Sequence, residues 1–325
     1  MSVSVFAPAS IGNVNVGFDV LGLAVKPIDG TLLGDIVTVT HSNDGDQLAV
    51  TGIFAKKLPS DFKQNIVWHC LLLFNNELLG SQQAVAEVKI TLDKRMPVGS
   101  GLGSSACSVV AALAGLNAFY EKYHQFSFSE RALLKMMGQM EAQISGSLHY
   151  DNVAPCFLGG MQLMVPDPDI IARNIPQFED CYFVMAYPGI EVSTKAARDI
   201  LPGSYSRADL IRFGQNLATF VDACHRGDKP QAFSVLTDIV AEPYRQSILP
   251  GYKAAAGYLS QEGCLAVGIS GSGPTLFCVT DDEAKAQTFA NWLSENYLQV
   301  SASGTSEGFV HICQADTQGA VSLAE

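Results

Sequence analysis

The stretch PVGSGLGSSACS, Pro97 to Ser108, sets Gly99, Gly101 and Gly103 against Ser100, Ser104 and Ser105, and it runs straight into the apolar segment VVAALAGLNAF. Glycines at this density let the backbone approach a ligand or another segment closely. A helix beginning near Ser104 would also present unpaired amides and the positive end of its dipole to an anion. The serine hydroxyls could add donors or a magnesium ligand. Two familiar nucleotide loops do not fit: no lysine follows the last glycine, as GxxxxGK[ST] requires, and GSGLG lacks the third glycine and later acidic residue of a dinucleotide fingerprint. On the residues alone, phosphate cradling and helix capping with tight packing both stay open.

A second chemical signal is a carboxylate in an apolar stripe. In SFSERALLKMMGQMEAQISG the spacing predicts a helix with a capping box at Ser127 and Glu130 and a stop at Gly146. Met137, Met140 and Ile144 share one face, and Glu141 falls among them. Either Glu141 reaches round to water, or it serves as a hard-oxygen metal ligand or charge partner in a cleft. Asn13, Asn15 and Asp19 in SIGNVNVGFDVLG form a third polar set, which turn hydrogen bonds explain as readily as substrate contacts do. HYDNVAPCFLGG reads as a cleft loop, and GISGSGPT, Gly268 to Thr275, as a turn that lets two elements pass closely beside the cleft, with direct ligand contact left open.

These residues need a scaffold of mixed elements. VSVFAPAS reads as an edge-to-core strand and DIVTVTH and VAEVKITL alternate as half-buried strands do, whereas NIVWHCLLLFNNELL repeats its apolar residues at helical spacing. Residues 104–120 read as a central helix, apolar on nearly every side. DPDIIARNIPQFED reads as a surface excursion before the strand CYFVMAYP, and the composition change at 160–180 marks a domain boundary. Helices near 207–225, 230–240 and 250–260 precede CLAVGISGSGPTLFCV, a strand–turn–strand unit, then a helix at 283–295 and the strand GFVHICQA. SASGTSEG reads as a flexible loop. The alternation predicts an α+β domain with an antiparallel sheet covered by helices.

Composition narrows the function classes. With 325 residues, 48% hydrophobic and 16% charged, the chain can bury a full core and is not disordered. Apolar runs stop short of a bilayer span, and MSVSVFAPAS lacks a secretory pattern, so a cytoplasmic protein is expected. A net charge of −12 argues against a nucleic-acid surface, although a local nest of amides can still hold phosphate. The 8 cysteines are spread singly, without CxxC, and read as reduced core residues.

APASIGNVNVGFDVLG, PVGSGLGSSACSVVAAL and GISGSGPTLF, in that order, resemble three motifs of the kinase superfamily named for galactokinase, homoserine kinase, mevalonate kinase and phosphomevalonate kinase, the GHMP kinases. Within it the chain is similar to the bacterial homoserine kinases over essentially its whole length, including GSLHYDNVAPCFLGGMQLM, YPGIEVSTKAARDILP and AEPYRQSILPG. The resemblance implies a two-domain α+β fold: an ATP-binding domain like one in ribosomal protein S5 over 1–165, and a ferredoxin-like domain over 166–325. It implies magnesium- and ATP-dependent phosphorylation of the side-chain hydroxyl of L-homoserine in threonine biosynthesis. A cytoplasmic homodimer, inhibited by threonine in competition with the substrate, is also implied.

By the same resemblance, the backbone of Pro97, Val98, Gly99, Ser100, Gly101, Leu102, Gly103, Ser104 and Ser105 cradles ATP phosphates, and Ser105 and Glu141 hold magnesium, with Ser104 as a second hydroxyl. Asn65 matches a position near adenine, with a helix start as its competing use. Asn13, Asp19, His149, Asn152, Arg198 and Arg245 surround the amino acid, and Thr194 sits near its hydroxyl end. Guanidinium groups suit the α-carboxylate and Asp19 the α-ammonium. No residue is assigned as catalytic base. The alternatives are a related kinase acting on another alcohol and a non-catalytic binding protein.

Overall fold

The computed structural model describes residues 2–299 and 307–324. Most of SASGTSEG, read as a loop, lies outside the described residues. The first half of the chain forms β1 (Ser2–Pro8), β2 (Ser10–Gly12), β3 (Leu21–Pro27), β4 (Gly34–His41), β5 (Gln47–Thr51), α1 (Ile66–Gly80), β6 (Val88–Asp93), α2 (Ser104–His124), α3 (Glu130–Ser145), α4 (Val153–Leu158) and β7 (Met161–Met164). The second half forms β8 (Ala172–Ile175), β9 (Tyr182–Tyr187), α5 (Thr194–Asp199), α6 (Arg207–Arg226), α7 (Lys229–Ser234), α8 (Glu242–Arg245), α9 (Tyr252–Gln261), β10 (Ala266–Ile269), β11 (Leu276–Thr280), α10 (Glu283–Asn296), β12 (Phe309–Ala315) and β13 (Val321–Leu323).

Two sheets result. The first runs β13-β1-β4-β6-β5 and is antiparallel except for its β5–β6 pair. Alternation in DIVTVTH places Val37 and Val39 of β4 in the core, and α2 packs across β1 and β4. Its small residues permit that close approach: a Cβ on Gly115 would already touch Val39 at 3.4 Å. The helix is buried on most sides, because α1, α3 and α4 cover the face turned away from the sheet.

In the second sheet, β9 to β12 lie in the order β10-β11-β9-β12 with α9 and α10 packed on them, the βαββαβ arrangement of a ferredoxin-like unit. The sheet does not stop at β12. It continues through β3, β7 and β8, and β2 pairs with β3, so strands from both sides of residue 165 share one hydrogen-bonded sheet. β13 returns to pair with β1. Two α+β halves are thus interlocked at both ends of the chain.

Several local expectations are corrected. The cap of α3 is Ser129, whose hydroxyl accepts from the Ala132 amide, and not Ser127; with alanine at the third helical position there is no capping box. Gly146 does stop that helix, in the left-handed conformation. The expected helix at 230–240 ends at Ser234. DPDIIARNIPQFED contains β8, because Ile171 and Ile175 are buried at the sheet edge. All 8 cysteines are free, and every one except the half-buried Cys264 is buried. Among the described residues, no helix is long and apolar enough to cross a membrane.

Candidate active site

A cavity of about 510 Å³ lies where the two halves meet. One wall is the glycine loop. Gly99, Gly101 and Gly103 all take positive φ, and a Cβ on Gly101 would lie 2.5 Å from the Ser270 carbonyl oxygen. The loop carbonyls are turned away and pinned: Gly99 O accepts from Val192 N at 2.9 Å, Ser100 O from Thr275 Oγ1 at 2.7 Å, and Gly101 O from Ser270 Oγ at 2.7 Å. The amides of Gly99, Ser100, Gly101 and Gly103, with those of Ser104 to Ala106 in the first turn of α2, have no acceptor among the described residues. Such a set of donors at a helix start is an anion nest. Pro97 and Leu102 were expected in this cradle but do not line the cavity, and the Leu102 side chain is fully buried in the core.

Beside the nest, Ser105 Oγ donates to Glu141 Oε1 at 2.7 Å. Glu141 Oε2 is buried with no partner, although carboxylate oxygens ordinarily accept bonds. Burial raises the Glu141 carboxyl above the usual carboxylate range, with the Ser105 bond opposing. Glu141 is therefore not the solvent-reaching boundary residue. Ser104 turns its hydroxyl to Met96 O at 3.4 Å, which leaves Ser105 as the serine that meets Glu141.

Lys94 also lines this corner, and reading the loop for a lysine after its last glycine passed over it. Its ammonium donates to Asp35 Oδ2 at 2.6 Å, Ser104 O at 2.9 Å and Ser108 Oγ at 3.0 Å, tying α2 to the start of β4. Asn65 also lines the cavity. Its Oδ1 caps α1 by accepting from Val67 N at 2.9 Å, while its Nδ2 is buried without a partner. Both of its expected uses are thus compatible.

Another part of the lining, the charged end, is rich in ionisable groups. Asp19 takes both terminal nitrogens of Arg198 at 2.8 Å, so two residues expected to bind opposite ends of a ligand are paired with each other. Arg245 is buried; its Nε donates to Ala197 O at 3.1 Å and its Nη1 to Gly271 O at 2.7 Å. The short helix α8 that carries it has no side-chain cap at Ala241, and the buried Asp238 replaces one by accepting from the Val240, Ala241 and Glu242 amides. His149 Nδ1 meets Asp151 Oδ1 at 2.8 Å, and its Nε2 is buried without a partner. Burial pulls the His149 imidazole pKa down, but the Asp151 hydrogen bond and the surrounding carboxylates outweigh it and hold the group above its usual value.

Asn13 and Asn152 line the cavity with their amides already engaged. Asn13 accepts from Asp19 N and donates to Gly271 O, and Asn152 bridges Ser10 and Asp151. Thr194 Oγ1 lies 3.4 Å from Ser272 Oγ. The cavity thus gathers every expected site residue except Pro97 and Leu102, and among the residues it adds are Phe18, Lys94, Asp151, Gly271 and Ser272. The glycine turn at 268–275 could have signalled the last pair, since a motif that dense in glycine permits close approach. Nothing in the local sequence marked Phe18.

The family model of the GHMP kinases N terminal domain matches residues 65–160, and that of the GHMP kinases C terminal matches residues 220–299. The solved homoserine kinase from Cytophaga hutchinsonii is 30% identical, with 99% of this chain and 97% of that chain covered and a TM-score of 0.86. The chain belongs to the GHMP kinases. A mevalonate kinase (13% identity, 98% and 100% covered, TM-score 0.66) and a D-glycero-D-manno-heptose 1-phosphate kinase from Bacteriodes thetaiotaomicron (16%, 100% and 99%, 0.64) share the fold. In this GHMP kinase the nest, Glu141, His149 and Asn152 fall inside the amino-terminal match, whereas Asn13, Asp19, Thr194 and Arg198 lie outside both matches. The amide nest is thus part of what is held in common with the family models, and the charged lining, Arg245 and His149 apart, comes largely from segments they do not cover.

Proposed function

We propose that this GHMP kinase transfers the terminal phosphoryl group of ATP to the side-chain hydroxyl of L-homoserine, giving O-phospho-L-homoserine and ADP. One observation carries the reading: two guanidinium groups and a carboxylate, Arg198, Arg245 and Asp19, stand in the same cavity as a nest of backbone amides. A zwitterionic amino acid with a hydroxyl arm fits that pairing, with its carboxylate on the arginines and its ammonium on Asp19. Likeness to a homoserine kinase along nearly the whole of both chains supports the same substrate.

The loop from Gly99 to Ser105 binds the phosphates through its amides, and Asn65 Nδ2 is the donor offered to the base. Glu141 Oε2, buried without a partner, and Ser105 Oγ form a hard-oxygen pair suited to magnesium. When bound, that ion neutralises phosphate charge. Catalysis then rests on holding the hydroxyl in line with the terminal phosphate in a site whose donors are already in place. Thr194 borders the hydroxyl arm, and His149, Asn13 and Asn152 shape the pocket around the amino acid. The hydroxyl proton leaves through phosphate or solvent, with no side chain assigned to take it.

The reading extends to an ATP-binding domain over 1–165, a carboxy-terminal domain over 166–325, and a cytoplasmic homodimer in threonine biosynthesis. Threonine, which carries the same α-carboxylate and α-ammonium, competes for the charged end. An ADP-release assay with magnesium, ATP and a panel of L-homoserine, mevalonate and galactose tests the substrate. Turnover is expected with homoserine; a preference for either other alcohol would overturn the assignment.

A further inference from the structure

The two arginines at the charged end of the cavity share one aromatic ring. The guanidinium carbon of Arg198 lies 5.5 Å from the centroid of Phe18, and that of Arg245 lies 5.6 Å from it. Both fall within the roughly 6 Å over which a ring quadrupole attracts a cation. Phe18 lines the cavity and immediately precedes Asp19, the carboxylate that takes both terminal nitrogens of Arg198. Its backbone is fixed from Asn13, whose carbonyl accepts from Gly17 N and whose side-chain oxygen accepts from Asp19 N, both at 2.9 Å.

Two cations brought side by side repel, and in a partly desolvated site that repulsion is poorly screened. Burial, with the neighbouring Arg198 charge adding to it, lowers the Arg245 pKa. Arg245 is steadied by two backbone carbonyls, Ala197 and Gly271. Arg198 is held differently: Asp19 takes both of its terminal nitrogens, while its Nε is buried without a partner. When a ligand ammonium draws on Asp19, the ring still attracts both guanidiniums at once, alongside the Asp151 carboxylate.

We propose that Phe18 is a positioning residue that holds Arg198 and Arg245 together as a fork for the acceptor's α-carboxylate, and that it thereby sets the preference for an amino-acid alcohol. This rests on the homoserine reading given above. A ring that merely filled the cavity wall would be replaceable by leucine, which has similar apolar bulk and no quadrupole.

The test compares kcat/KM for L-homoserine with that for 3-aminopropan-1-ol, the same alcohol without its carboxylate, in the wild type, Phe18→Leu and Phe18→Tyr. The homoserine-to-aminopropanol ratio is expected to fall about ten-fold in Phe18→Leu and to stay within about two-fold of wild type in Phe18→Tyr, which keeps the ring. An unchanged ratio in Phe18→Leu, or an equal fall in both variants, would overturn the positioning role. A wild type with no preference for homoserine would instead overturn the substrate reading, and the proposal with it.

Discussion

Glu141 has two oxygens with different fates: one is bonded to Ser105 and the other is buried with no partner. That asymmetry supports the magnesium-ligand role proposed for it. Glu141→Gln keeps the shape and removes the charge. Turnover is expected to fall by about a hundred-fold or more, with a raised magnesium requirement. A magnesium titration with near-normal kinetics would contradict the ligand role. His149 offers a separate check through stability. Its folded pKa is held above the usual 6.5 against the pull of burial, by the Asp151 bond and nearby carboxylates. Stabilisation from its protonated form is therefore fully present below that value and is lost as pH rises through the folded pKa. Melting temperatures of the wild type and Asp151→Asn should differ most near the acidic end of a pH 6 to 9 series and converge toward the alkaline end. A constant gap would show that the pair does not titrate as described. Both residues were visible in the sequence to different degrees: a carboxylate in an apolar stripe demanded an explanation, but a single histidine gave no sign of its Asp151 partner.

At the level of elements, the glycine loop works because other segments hold its carbonyls from behind. Val192, Ser270 and Thr275 do this from the second half of the chain, while Lys94 anchors the start of α2 from below. Lys94 and Asp35 are 2% and 0% exposed at the side chain, and Asp35 also accepts from the Arg95 and Met96 amides. Lys94→Met would leave that carboxylate buried without its cation, at an expected cost of about 3–5 kcal/mol. Denaturant unfolding measures it; a loss below about 1 kcal/mol would mean that the Asp35 charge is satisfied without Lys94. The main helices and most strands were legible because their apolar spacing is set by local periodicity. Exceptions follow physical causes. Ser129 displaces Ser127 as the α3 cap because the helix begins two residues later than the serine–glutamate spacing suggests. β8 was hidden because its polar residues face outward at a sheet edge and only Ile175 within it is buried.

Across the whole molecule, the charged end of the cavity joins residues far apart in the chain. Asp19 and Arg198 meet over 179 positions, and the β12–β3 pairing helps bring the chain's two ends together. No spacing rule could have paired Asp19 with Arg198, and the sequence-based expectation gave them to different ends of the ligand. The motif resemblance did name the residues that converge, and the ferredoxin-like topology of β9 to β12 agrees with what it implied. The extension of that sheet through β3, β7 and β8 was not legible, since strand partners this distant leave no local pattern. On the proposed reading, the terminal phosphoryl group of ATP passes from the amide nest to the hydroxyl of a zwitterion held by the arginines and Asp19. Mass spectrometry of the product formed from magnesium, ATP and L-homoserine tests it most directly. O-phospho-L-homoserine is expected in amounts equal to the ADP released; ADP released without a phosphorylated homoserine would contradict that transfer.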